Sequence, residues 1–156
     1  MPDSMEELSL REVSDSIKNG HTTSVEVTER LLASIKDSQS TINCFITIDQ
    51  ENAILAAKLA DQEIANGRWR GPLHGVPLAH KDVFDREHQV TTAGTKIFDQ
   101  PAKATSTVLE RFDAAGSVPL GRLNLDEFAA LRTTFATFSG LKIAAEERYE
   151  KFSKDG

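Results

Sequence analysis

Gly71-Pro72-Leu73-His74-Gly75-Val76-Pro77-Leu78-Ala79-His80-Lys81-Asp82 is the stretch on which the reading of this chain turns. Gly71-Pro72, Gly75 and Pro77 punctuate a short loop, because glycine admits backbone angles closed to other residues and proline fixes its own. Punctuation this dense ahead of a strand means a closely fixed backbone path. The loop delivers the chain into a strand predicted over Leu78 to Phe84, and Lys81 lies in it. On pattern alone, a lone lysine in a strand is a solvated edge residue. Asp82 follows, and successive strand residues point to opposite faces. A structural hydrogen-bonding role is therefore expected for Asp82, rather than one of tuning the lysine.

Upstream, three helices are predicted, with a strand between the second and third. Ser9 and Glu12 have capping-box spacing, Leu8 and Val13 stand at staple positions, and Asn19-Gly20 closes the first helix. Leu10, Val13 and Ile17 fall on one of its faces. Thr23 and Glu26 open the second helix, whose inner stripe is Val25, Leu32 and Ile35. Ile42, Cys44, Ile46 and Ile48 then alternate with Asn43, Phe45 and Thr47, the period of a strand. Asp49 caps an alanine-rich helix through Ile64, stopped by Asn66-Gly67.

Downstream, Thr91-Thr92-Ala93-Gly94 is a polar turn. A helix is predicted from Thr105 to Ala115, with Val108, Leu109 and Phe112 inward and Gly116 just past its end. Val118 to Leu120 is a short strand that Pro119 confines to an edge or a bulge. Asn124 is expected to cap a further helix with Glu127 at its third position. Leu141 to Lys154 has a charged helical pattern with a thin apolar face. Helices alternating with short apolar strands define the class as α/β.

Composition narrows the function. The chain has 156 residues, 39% of them hydrophobic and 27% charged, which suits one soluble domain or the first portion of a larger one. A net charge of −6, with its 18 basic residues scattered, argues against direct nucleic-acid binding. No apolar run is long enough to span a membrane. The acidic start, Met1-Pro2-Asp3-Ser4-Met5-Glu6-Glu7, resembles neither a secretory signal nor a transit peptide, so the cytosol is the expected location. Cys44, the single cysteine, is read as a buried small hydrophobe. His74, His80 and His88, with Asp82 and Asp85 nearby, match no zinc spacing, so no metal is expected. Trp69 is expected to pack the junction between helix and loop. No motif implies a cofactor.

Leu8-Ser-Leu-Arg-Glu12, Asn43-Cys-Phe-Ile-Thr-Ile48, Gly71 to Asp82, Thr91-Thr-Ala-Gly94, Ala114-Ala-Gly116 and Gly121-Arg-Leu-Asn-Leu-Asp-Glu-Phe-Ala129 occur in this order. Together they resemble the opening of amidase-signature enzymes, a family that includes bacterial amidases and the A subunit of tRNA-dependent amidotransferases. The resemblance implies an α/β fold, the N-terminal portion of a mixed central sheet flanked by helices. It runs from about Leu8 to Ala129, so residues 1–129 are expected to be part of an amidase domain and 130–156 a divergent, helical tail.

The resemblance also implies hydrolysis of carboxamide carbon–nitrogen bonds by a Ser-Ser-Lys triad, with Lys81 at the lysine position. Such a lysine must be neutral to accept a proton, which desolvation favours. The family's serines lie further on, in a segment rich in paired glycines and serines. After Lys81 this sequence offers Ser106, Ser117, Ser139 and Ser153, none beside another serine, and it has no Gly-Gly pair. The expectation is a truncated chain, inactive alone, whose parent form takes small-molecule amides. The alternatives are a non-catalytic remnant that binds a partner, and one half of a split enzyme. His80 stands where an aliphatic residue is common in the family, which leans towards a free amidase. A sheet lacking its further strands would leave Val76, Leu78 and Val83 uncovered, favouring self-association or a partner chain.

Overall fold

A computed structural model describes residues 8–129. Each of the three upstream helices is started by its own sequence. Helix α1, Leu10–Lys18, begins at a reciprocal capping box: Ser9 Oγ accepts from the Glu12 amide, and the Glu12 carboxylate accepts from the Ser9 amide at 2.8 Å. Helix α2, Ser24–Ile42, repeats the device with Thr23 and Glu26. Strand β1, Phe45–Ile48, leads into helix α3, Gln50–Ala65, which Asp49 caps through the Asn52 amide. These bonds satisfy amides that a helix start leaves without partners.

Strand β2, Pro77–Lys81, is shorter than predicted. Asp82 donates one more ladder bond, to Leu123 O, and then the Phe84 amide turns back onto Lys81 O at 3.2 Å. Helix α4, Thr107–Ala114, ends at Ala115, and Gly116 follows with φ +77°. Strand β3 spans Val118–Leu123, and the described residues close on a single 3-10 turn, Glu127–Ala129.

The sheet order is β1-β3-β2, with β3 antiparallel to β1 and parallel to β2. Pro119 therefore sits in the central strand and not at an edge. The register jumps there: Leu78 pairs with Pro119 and Ala79 with Gly121. A bulge thus absorbs the residue that has no N–H, as the second of the two expectations held.

Two clusters form the core. Leu32, Phe45, Ala53, Ala57, Val118 and Leu120 make the larger, with Val25, Ile35 and Cys44 packed against it. Ile17, Val27 and Val76 make the smaller. Val27 is fully buried although it lies off the predicted stripe, because α2 is apolar on two sides and serves both clusters.

Other sequence expectations need correcting. Helix α2 runs through Ile42 and ends at Asn43 in the left-handed region, so the strand starts at Phe45. Phe45 faces the core at 8% exposure, which by alternation turns Ile46 and Ile48 outward. Val76 is buried and Leu78 packs against its cluster, so the β2 approach is covered and only Val83 stands out. The larger exposed apolar residues are elsewhere, at Leu55, Leu59, Ile97 and Phe128. Asn124 does not cap a helix: its amide donates to Cys44 O at 2.7 Å, which keeps it on the sheet, and its side chain accepts from Leu125. The helical pattern from Leu141 to Lys154 lies outside the described residues.

Candidate functional site around Lys81

The path into β2 is fixed from three sides. Ser24 Oγ donates to Gly75 O at 2.6 Å, and the Gly75 amide donates to Gly116 O at 2.9 Å. Asp61 on α3 accepts from the Ser24 and Val25 amides at 2.7 and 3.0 Å, capping α2 from a distant helix. His74 is buried beside Gly116, and a Cβ on that glycine would lie 2.5 Å from the imidazole. His74 Nδ1 accepts from the Arg70 amide at 3.2 Å, while Nε2 lies 3.2 Å from Glu63, itself held by the Arg70 guanidinium. Trp69 joins this junction, its ring 5.6 Å from that of His74. The lysine strand is therefore delivered by a loop locked to α2, α3 and the α4–β3 turn.

Lys81 is exposed, and its Nζ donates to Asn124 O at 2.8 Å. Asp82 points the other way and is fully buried. Its carboxylate accepts from the Thr92 amide at 3.1 Å, from the Thr92 hydroxyl, and from Arg122 Nη1 at 3.0 Å. Its backbone O accepts from Ala93. Asp82 thus has the structural role expected of it. Arg122 and Thr92 were not singled out by sequence reasoning. The only local signal was a polar turn, and an arginine in a strand announces no partner.

Neither described serine beyond Lys81 joins it. Ser117 donates to Phe112 O at 3.0 Å, and the Ser106 hydroxyl is buried at the start of α4. The three histidines do not converge. His74 belongs to the Glu63 junction, His80 is half-buried on β2, and His88 is exposed beside Glu87. Among the described residues no group of three or more His, Cys, Asp or Glu side chains could hold a metal ion.

Burial pushes the imidazoles of His74 and His80 below the ordinary 6.5, with nearby arginines acting in the same direction. In the unfolded chain both return towards that value. As pH falls below about 6.5 the unfolded state takes up protons first, so the folded state loses stability until the depressed folded values are passed. Hydrogen bonds hold Glu12, Glu26 and Glu63 below the usual 4.5, which adds a second loss as pH falls below that value. The urea midpoint is therefore expected to fall between pH 7.5 and pH 5.5, well above the carboxylate range. An unchanged midpoint over that interval would contradict this.

The mixed sheet and its flanking helices have the fold of a known class. The family described as Amidase matches residues 26–141, and this chain belongs to it. The match runs past Ala129. The chain is 42% identical over 124 residues to the A subunit of the glutamyl-tRNA(Gln) amidotransferase of Lachnospira eligens, covering 79% of this chain and 26% of that relative. The native peptide amidase of Stenotrophomonas maltophilia superposes with a TM-score of 0.72 at 29% identity, over 81% of this chain and 26% of that one. A vestigial protein complex, described as revealing the evolutionary origins of an s-triazine catabolic enzyme, gives 0.72 at 38% identity, over 78% and 27%. The amidase-signature resemblance and its α/β fold are thus shown. The chain spans about a quarter of the length of these relatives. No helix among the described residues is long and apolar enough to cross a membrane.

Proposed function

We propose that Lys81 is the proton acceptor of an amide-hydrolysing site of the Ser-Ser-Lys type, and that these 156 residues supply that third of the triad. The observation that carries the reading is the placement of Lys81. It stands exposed at the end of a rigidly delivered strand, with its Nζ on the Asn124 carbonyl. In the chemistry proposed, a serine hydroxyl attacks the carboxamide carbon while its proton passes through a bridging serine to Lys81. Collapse of the tetrahedral intermediate expels the amine, which takes that proton back. The acyl-enzyme is then released by water. Small carboxamides are the proposed substrate class and the cytosol the proposed setting, in keeping with a lone cysteine and no disulfide framework.

The 156 residues contain no adjacent serines and no Gly-Gly pair. The purified 156-residue polypeptide is expected to hydrolyse no simple amide above background and to resist a fluorophosphonate probe. Labelling that disappears when one particular serine is substituted would overturn this. Lys81→Met removes one surface hydrogen bond and should change stability by no more than about 1 kcal/mol. When a serine-bearing amidase segment is added in trans, any activity gained should fall by orders of magnitude with Lys81→Met. Activity that survives the substitution would sink the proton-acceptor reading.

A second reading, a partner-binding or self-associating chain, is favoured by a different observation. Phe98 and Phe128 meet edge to face at 6.1 Å, yet are 48% and 56% exposed, and Ile97 is 73% exposed. Apolar surface of this kind supports association. A solution mass that stays monomeric at high concentration would count against it.

A further inference from the structure

We infer that Arg122 is a positioning residue for Lys81: clamped on Asp82, it holds the ends of β2 and β3 so that the lysine stays on the Asn124 carbonyl. The inference rests on the reading of Lys81 as proton acceptor and names what sets its geometry.

Lys81 reaches the Asn124 carbonyl across two separate strand ends, β2 and β3. The lysine occupies one, and Asn124, just past Leu123, belongs to the other. Whatever fixes these ends against each other fixes the Nζ. The Arg122 guanidinium, only 15% exposed, contacts three segments at once. It donates to Asp82 Oδ1 at 3.0 Å, to Thr47 Oγ1 on β1 at 3.2 Å, and to Val90 O in the loop beyond β2. Asp82 is the neighbour of Lys81, and Arg122 lies two residues before Asn124.

The geometry divides the labour between the two faces. Alternation puts Asp82 and Lys81 on opposite sides. Ladder pairing puts Arg122 opposite His80 and Leu123 opposite Lys81. Arg122 and buried Asp82 therefore meet on one face, while the exposed lysine leaves from the other. Asp82 also receives the Thr92 amide and hydroxyl, which ties in the 91–95 loop. That loop in turn takes the Phe128 amide on Ala93 O at 2.8 Å, which ties it to the segment that follows Asn124. A planar guanidinium can serve three acceptors in fixed directions, whereas an ammonium on a flexible stem cannot. A buried ion pair is best justified as a device for register, and here the register held is that of Lys81.

The test is trace acetylation of the native 156-residue chain with acetic anhydride across a pH series. Lys81 modification is read by peptide mass spectrometry against exposed Lys58 on α3, alongside thermal melts. Arg122→Gln should raise the Lys81/Lys58 ratio roughly two- to ten-fold, the range expected for loss of one net hydrogen bond. Arg122→Lys should recover part of the protection, and Thr47→Val should raise the ratio less. If Arg122→Gln fails to fold, the other two variants decide. A lowered melting temperature with an unchanged ratio and pH profile in the folded variants would make Arg122 merely structural and overturn the proposal. Because labelling needs no serine, that failure is distinct from failure of the Lys81→Met test in trans.

Discussion

Gly121→Ala is expected to unfold a large fraction of the chain, at a cost of about 3 kcal/mol or more from backbone strain and overpacking together. Gly121 lies in the central strand with φ +148°, and a Cβ there would fall 2.1 Å from Thr47 O and 3.0 Å from its carbonyl carbon. The obstacle is backbone, so no side-chain rotation relieves it. Strand β1 would have to lift from β3, opening the cluster around Phe45 and Leu120. Gly67→Ala is the control. Its φ is +76° with nothing within 4 Å of a new Cβ, so only the local cost of about 1–2 kcal/mol applies. Urea unfolding followed by circular dichroism measures both. Equal midpoints for the two variants would show that the approach of β1 to β3 matters little.

Asp82→Ala is expected to cost about 3 kcal/mol, near the lower end for breaking a buried ion pair, because Arg122 keeps the Val90 carbonyl and some access to water. The loss is asymmetric. The guanidinium remains largely buried without its counter-charge, and the Thr92 amide and hydroxyl lose their acceptor. Asp82→Asn should cost less, since an amide oxygen still accepts from Thr92. Asp82→Ala together with Arg122→Met should recover stability relative to Asp82→Ala alone, as no buried charge is then left over. A double-mutant cycle with no coupling would refute the ion pair as the fastening of this region.

The sites of these two effects differ in how far the sequence revealed them. Asp82 was legible as a hydrogen-bonding residue from its place after Lys81, because strand alternation is a local rule. Its partner was not, since Arg122 lies 40 residues away and many polar residues are equally distant in sequence. Gly121 was legible only as part of a family string, and its close approach to Thr47 depends on which strand becomes central.

The sequence by itself determined the starts of the first three helices, the glycine stops, the delivery of Lys81 into a strand and the class of the fold. Ser9 with Glu12 and Thr23 with Glu26 make bonds across three residues, so consecutive letters suffice to specify them. Tertiary structure alone decided that β3 is central, that Asp61 caps α2 from 37 residues away, and that Phe45 rather than Ile46 or Ile48 enters the core. It also decided that Lys81 meets Asn124 O and that Arg122 meets Asp82. Such pairings are chosen by the packing of whole elements, where apolar burial outweighs local propensity and many partners compete for each polar group.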